Sequence, residues 1–454
     1  MNSTDALTQR YEFSAARPDG GAIRDRATSL LFTGFLLLTF VGTHPLNVGS
    51  VAERADGSLL DRIVVPSLFG LALVVIWMAR DAALRMIGRN FGLIFIVGFC
   101  MASILWSAYP SLTLRRSILL FLLTGISFGV AAGVTDLRRL HTQLFVTLSA
   151  IIFVNILLTI AMPGQTITPI GVKGIYTQKN VAGIVALINL VVGATWLAGA
   201  SRRGVVFALL AMTATLGFLI ATKSRTSLNL ALLGLAYVVF VVLVEKIGGL
   251  FLLAAGIIGA LLLSAGLVWL GLHDFDFQSA LAALVGDTSY SGREELWDFV
   301  RRDALKRPLL GYGYGAYWDV GAANDPLLRA EVGSWLAAVE TGLINQAHQG
   351  YLELWLHIGW PMTVFATVLV AVRALSGGAR ALFGAGPRQS RIFIGAMASL
   401  LLIFLLHNLT EASLFMRGEM FSNFAIFAML LISRAKDLEA GTKDLEAGAN
   451  GGLK

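Results

Sequence analysis

The sequence predicts an all-α, polytopic membrane protein with about twelve transmembrane helices and one large helical loop on its outer side. Three observations carry that prediction. Apolar residues make up 56% of the 454 and charged residues only 14%, a balance outside the soluble globular range. The mean hydropathy is +0.74. Apolar runs near the roughly 20 residues that a helix needs to cross a bilayer recur along nearly the whole chain. The short alternating segments of a membrane β-barrel are missing from the sequence.

The elements follow in order. A polar arm, 1–27, precedes the first apolar run near Leu30 to Val41. That run shows no small-residue cleavage site and reads as a retained helix, not a signal peptide. Spans centre near Leu36, Leu71, Ile96, Ser127, Ile151, Leu190, Met212, Leu233 and Ile257, giving nine helices over 28–272. The connection 273–347 is far longer than the others. Within it Ser291-Gly-Arg-Glu294 reads as a capping box opening an amphipathic helix, with Leu296, Phe299, Val300 and Leu305 on one side, so a small folded lid is expected. Three more spans, centred near Phe365, Leu400 and Phe427, fill 348–434. The tail, 435–454, carries a tandem repeat, Lys436 to Gly441 and Lys443 to Gly448, and reads as a solvated appendage.

With the N-terminus in the cytoplasm, most of the 35 basic residues fall on the inner side, as the positive-inside rule requires. The net charge of +7 is therefore topological. Basic residues spread over short loops, without an interleaved aromatic face, argue against nucleic acid as a partner. The single Cys100 lies in an apolar run, so no disulfide framework is expected. His273, His348 and His357 lack chelating spacing and a carboxylate cluster, so neither a metal site nor a cofactor is expected.

Four outer connections hold polar residues that topology alone does not require: Lys173 to Asn180, Lys223 to Ser227, Ser291 to Trp297 and Asn345 to Glu353. An even number of spans separates each pair, so all four share a face. The sixth, eighth and tenth spans begin there, at about Val181, Ser227 and Gly350, and their positive dipole ends favour an anion. Arg225 is either an interfacial arginine reaching headgroups or a fork for phosphate oxygens. Arg293, in the first turn of the lid helix, calls for an anionic partner, whether a ligand or the nearby Glu294, Glu295 or Asp298. Lys179 reads equally as a surface lysine or a phosphate contact, and Asn180 as the N-cap of the sixth span. His348, at a helix start that disfavours imidazolium, is the candidate general base, with a capping histidine as the alternative. Glu353, slightly deeper, either orients His348 or binds a lysine from another loop. The run Gly311-Tyr-Gly-Tyr-Gly-Ala-Tyr-Trp318 reads as turn and packing residues, or else as a surface for stacking sugars.

These stretches resemble the O-antigen ligase and polysaccharide polymerase superfamily of bacterial membrane glycosyltransferases. The resemblance rests on Gly174-Ile-Tyr-Thr-Gln-Lys-Asn180, Ser224-Arg-Thr226, Ser291-Gly-Arg293 with Trp297, and Gly311-Tyr-Gly-Tyr-Gly315. It continues in Ala347-His348 leading to Tyr351-Leu-Glu353 and Gly359, and in His407-Asn-Leu-Thr-Glu411. Two departures stand out, Gln349 where the family commonly has Asn and His357 where it often has Glu. The segments around Lys179 and Arg293 look most like the succinoglycan-type exopolysaccharide polymerases.

The resemblance implies a GT-C-like fold and a metal-independent, inverting glycosyltransferase. Its donor would be a polyprenyl-diphosphate-linked oligosaccharide and its acceptor another glycan. Arg225, Arg293 and Lys179 would hold the diphosphate, and His348 would be catalytic. Tyr351, Glu353, Asn180 and Glu411 would support them. The implied setting is the periplasmic face of the bacterial inner membrane, beside flippase and chain-length regulator proteins. Polymerisation of repeat units is the expected activity, and the alternative is a ligase moving finished glycan to a lipid A core or another acceptor. A lipid-glycan transporter would need ionisable residues near the span centres, where only Asn155 and Asn189 offer a hint.

Overall fold

The computed structural model describes residues 19–43, 45, 59–248, 258, 261, 293–340, 342–384 and 386–451. The fold is all-α apart from one two-stranded hairpin, Ile167–Thr168 (β1) against Gly171–Val172 (β2). The helices are α1 (Asp19–Phe40), α2 (Leu59–Met78), α3 (Arg80–Arg89), α4 (Phe91–Ala102), α5 (Pro110–Gly133) and α6 (Leu137–Ala161). After the hairpin come α7 (Lys179–Leu197), α8 (Arg202–Thr222) and α9 (Arg225–Ile247). The chain resumes with α10 (Arg293–Lys306), α11 (Gly350–Ile358), α12 (Trp360–Phe383), α13 (Arg388–His407) and α14 (Met420–Gly451).

Among the described residues eight helices are long and apolar enough to cross a bilayer, or nine if α3 and the segment Phe91–Leu105, bent by 77°, count as one span. The chain is a multi-pass membrane protein. Helices α1 and α14 stand where the first and twelfth spans are predicted, and the predicted span near Ile257 lies outside the described residues. The third predicted span, near Ile96, is shorter than expected. The 12 residues of α4 cover about 18 Å, well under the roughly 30 Å of a hydrocarbon core. The bend falls at Asn90, whose buried side chain donates to Met86 O and Ser433 Oγ at 2.7 and 3.0 Å and accepts from Arg373.

Helices α7 and α13 form the centre, each with 72% of its apolar window enclosed, against 17% for α2 and 22% for α8. That contrast separates core spans from lipid-facing ones, and Trp77, Leu210 and Leu232 accordingly lie exposed on the outer helices. Aromatic packing joins α1 to α14, with Phe32 and Phe35 each about 5 Å from Phe427. Asn155 and Asn189 are spent on structure. Asn155 Oδ1 accepts from Ile175 N at 3.0 Å, and Asn189 donates to Thr215 Oγ1 at 2.9 Å. Both are internal hydrogen bonds that stabilise helix and loop packing in an apolar medium, so neither marks a transport path.

Two expectations change at the ends of spans. The tenth span does not begin at Gly350, because α11 closes after nine residues at Gly359, in a left-handed conformation with φ 82°, and the span proper starts at Trp360. A side chain at Gly359 would collide with the Leu309 carbonyl, so the break is dictated by close approach of the lid. Nor is the first copy of the tail repeat a free appendage. Helix α14 runs through it without interruption, Asp437 pairs with Arg85, Arg89 and Arg434, and Glu439 pairs with Arg380.

The described part of the long connection folds on its own small core. Leu296, Phe299 and Val300 of α10 pack with Tyr317, Trp318, Leu327 and Leu356. Leu305, expected on this side, is exposed, and Asp303 takes an inward position instead. Its carboxylate accepts from Lys306 Nζ at 2.6 Å, Arg329 Nη2 at 2.7 Å and Tyr317 Oη at 2.7 Å. Burial opposes the charge on Asp303, but these three donors outweigh it and hold the carboxyl below its usual range. The residues Ser291 and Gly292 of the predicted capping box lie outside the described residues.

Candidate functional site

The shared face deduced from span parity is visible as contacts. Tyr176 Oη donates to Phe40 O at 2.8 Å, Lys179 Nζ to Lys223 O at 3.4 Å, Arg293 Nη1 to Thr410 O at 2.6 Å, and Trp106 Nε1 to Leu310 O at 2.9 Å. The connections that follow α4, α6, α8 and α13 therefore meet the lid on one side. On the opposite side Glu245 pairs with Arg388 and Arg391 at 2.8 Å.

At the centre of the polar face stands Glu411, in the connection between α13 and α14. One carboxylate oxygen accepts from Asn180 Nδ2 at 2.8 Å and faces Arg293 Nη2 at 3.4 Å, while the other lies 3.4 Å from His348 Nδ1. These residues come from α7, the first turn of the lid helix, the turn before α11, and the connection after α13. Burial works against the charge on Glu411, yet the His348 bond and the Arg293 charge prevail and keep its carboxyl below the usual range. Arg293 thus finds its carboxylate across the face, not on its own helix.

His348 lies outside α11, one residue before the Gln349 N-cap, whose side chain accepts from Leu352 N at 2.6 Å. The helix end is therefore not its nearest electrostatic partner, which is Glu411. Its backbone is left-handed, with φ 50°, a conformation that costs a non-glycine residue about 1–3 kcal/mol and persists only where surroundings impose it. The surroundings are identifiable. Gly350 N donates to Asn408 O at 2.8 Å, Trp297 Nε1 donates to Ala347 O at 3.0 Å, and Ala347 N donates to Glu353 Oε2 at 2.7 Å.

Glu353 neither touches His348 nor binds a lysine. Fully buried, it accepts from Ala347 N and from Trp318 Nε1 at 3.0 Å, and its other oxygen sits 3.2 Å from His357 Nε2. It fixes the backbone next to His348. Tyr351 Oη donates to Leu405 O at 2.7 Å and ties α11 to α13. The aromatic run behaves as packing. Tyr314, Tyr317 and Trp318 are buried and offer no open ring face, while Tyr312 N and Gly313 N donate to the carbonyls of Leu356 and His357.

Asn180 is not a cap. Helix α7 starts one residue earlier, at Lys179, and Asn180 instead joins Glu411 to Ser224, whose hydroxyl donates to Asn180 Oδ1 at 3.1 Å. Lys179 Nζ donates to the carbonyls of Ile170 and Lys223. Arg225, the first residue of α9, is exposed and makes no hydrogen bond or ion pair among the described residues. The structure thus gathers Asn180, Arg293, His348 and Glu411, with Glu353 and Tyr351 behind them, and leaves Lys179 and Arg225 at the rim. The central place of Glu411 was the feature least visible in the sequence. The sequence offered only its place in the motif His407-Asn-Leu-Thr-Glu411, which gave it a supporting role.

Fold and site together define a multi-pass membrane protein with one polar site on one face, roofed by a small folded lid. Residues 207–367, from α8 through the lid and α11 into α12, match the family model described as O-Antigen ligase, which supports the O-antigen ligase and polysaccharide polymerase family for this chain. No curated protein matches the chain. The family implies a glycosyltransferase-like enzyme acting on a lipid-linked glycan.

Proposed function

We propose that the protein polymerises polyprenyl-diphosphate-linked oligosaccharide repeat units into an exopolysaccharide or O-antigen-type polymer. The growing glycan passes from its lipid diphosphate to the non-reducing end of another lipid-linked unit, on the periplasmic face of the inner membrane. The observation that carries this reading is Glu411, held between His348 and the lid residue Arg293. With Nδ1–H directed at the carboxylate, His348 Nε2 is free to take the proton of an acceptor hydroxyl. The hydroxyl oxygen bonds to the anomeric carbon as the bond to the diphosphate breaks, on the opposite face of the sugar, and polyprenyl diphosphate leaves. Arg293, Arg225 and Lys179 offset the charge that develops on it, without a bound metal.

The lid helix α10 carries Arg293 to Glu411, so substrate binding at the site is tied to the position of this arginine. Flippase and chain-length regulator proteins are its expected neighbours. A ligase that moves finished glycan to a lipid A core or another acceptor shares the donor half of this site, and product analysis separates the two. The test is the polymer made by His348→Ala and Arg293→Ala variants of normal abundance, assayed with and without chelator. Long polymer from either variant removes that residue from the site, and loss of wild-type activity with chelator removes metal independence.

A further inference from the structure

Beside Glu411 the same face holds a cavity of about 90 Å³. That is room for several waters, or for the hydroxyl-bearing edge of one sugar ring. Its polar wall includes Gln178, Asn180, Gln346, Glu411 and Glu419 with His407, whose ring burial keeps neutral, and Val181, Ile184 and Phe421 supply an apolar side. No lysine or arginine is among the residues that line it. Amides and carboxylates facing an apolar surface match a pyranose, whose hydroxyls project from the edge and whose C–H groups form a face. Two carboxylates in one wall disfavour a diphosphate inside it, so the donor's anionic group belongs with Arg293, Arg225 and Lys179 and not here.

Glu419 is the distinctive residue. Its carboxylate makes no hydrogen bond or ion pair among the described residues, unlike Glu411, which has three partners. The side chain is exposed and lines the cavity. An exposed carboxylate with no protein partner can accept from a sugar hydroxyl.

We infer that this cavity is the acceptor-sugar subsite, that Glu419 and Gln346 grip its hydroxyls from opposite connections, and that it selects a neutral over an acidic terminal sugar. The inference rests on the glycosyl transfer proposed above. It adds a specificity that follows from the absence of a cation in the wall: a uronic acid would bring a third carboxylate against Glu411 and Glu419.

The experiment uses the full chain in lipid nanodiscs, a lipid-diphosphate-linked glycan as donor, and acceptor glycosides ending in a neutral hexose or in the corresponding uronic acid. The wild type should use the neutral acceptor at least about tenfold better. Glu419→Gln, which keeps shape and removes charge, should narrow that preference. Glu419→Ala and Gln346→Ala should raise the acceptor KM about ten- to a hundred-fold and leave the donor KM unchanged. Equal use of the two acceptors by the wild type, or variants that alter only the donor KM or neither constant, overturns the subsite. Absence of any transfer from the lipid diphosphate by the wild type strikes instead at the proposed function. Glu419→Gln is isosteric, and its thermal midpoint checks that the fold is kept.

Discussion

Replacing Glu411 by Gln is the sharpest test of the proposed chemistry, because the shape survives while one hydrogen-bond role is inverted. Both carboxylate oxygens face donors: Asn180 Nδ2 and Arg293 Nη2 on one side, His348 Nδ1 on the other. An amide offers one oxygen, so one side must meet an NH2 group. The oxygen will turn to Arg293 and Asn180, since the amide NH2 is least tolerable against a guanidinium. The NH2 then donates to His348 Nδ1, which moves the ring proton to Nε2 and removes the base that takes the acceptor's proton. General-base catalysis contributes about 10²- to 10⁴-fold, and that is the fall expected in kcat for Glu411→Gln. Donor and acceptor KM should shift much less.

The accompanying stability loss is small. The side chains of Arg293 and Glu411 are 27% and 14% exposed and their pair is 3.4 Å long, so solvent screening limits it to about 1 kcal/mol. Since the Glu411 carboxyl is held below the usual range in the folded protein, its contribution is complete above about pH 4.3. It is lost only as pH falls through the depressed value. The assay is the initial rate of glycan transfer by purified protein, with thermal midpoints measured alongside. A kcat within about threefold of wild type for Glu411→Gln would refute the arrangement of His348 by this carboxylate.

Two further substitutions probe the supports of the site. A methyl group at Gly350 would overlap the Asn408 side chain, which is buried and bonded to Ser413 N at 2.9 Å and Phe404 O at 2.7 Å. Gly350→Ala should therefore cost about 1–3 kcal/mol by overpacking, and on the order of 10²-fold in rate by shifting His348 relative to Glu411. Thermal midpoint and kcat together check it, and an unchanged kcat would show the two segments to be independent. In the lid, Asp303→Ala leaves the buried Tyr317 hydroxyl without its acceptor, whereas Lys306 and Arg329 are mostly exposed and can turn to water. The expected loss is about 2 kcal/mol, localised to the lid, and faster hydrogen exchange over 293–329 reads it. In the wild type the Asp303 carboxyl is depressed, so lid protection should be flat above about pH 4 and fall below it, while Asp303→Ala should lack that step.

What the amino-acid sequence determined by itself was where most of the apolar helices lie among the described residues, and the face that their polar connections share. Both follow from one constraint: a helix must satisfy its own backbone in hydrocarbon over a set length, so apolar run length and parity suffice. That logic placed Lys179, Arg225, Arg293 and His348 on one side before any side chain was positioned. The exceptions are local. Helix α4 is too short for a span because Asn90 bends the chain, and α11 separates from α12 because the lid backbone presses on Gly359.

Which atoms meet on that face was decided only by tertiary structure. Asn180, Arg293 and His348 lie 231, 118 and 63 positions from Glu411, and no local periodicity encodes such distances. They depend on how α7, α13 and the lid pack. The same holds for Glu353, read as a partner of His348 or of a lysine but buried against Trp318 and Ala347, and for the aromatic run, whose rings fill a core shared by the lid and α11. Asn180 illustrates the principle in one residue. Its sequence context suggests a helix cap, yet a carboxylate brought from the far end of α13 competes for its amide, and the charged acceptor makes the stronger bond.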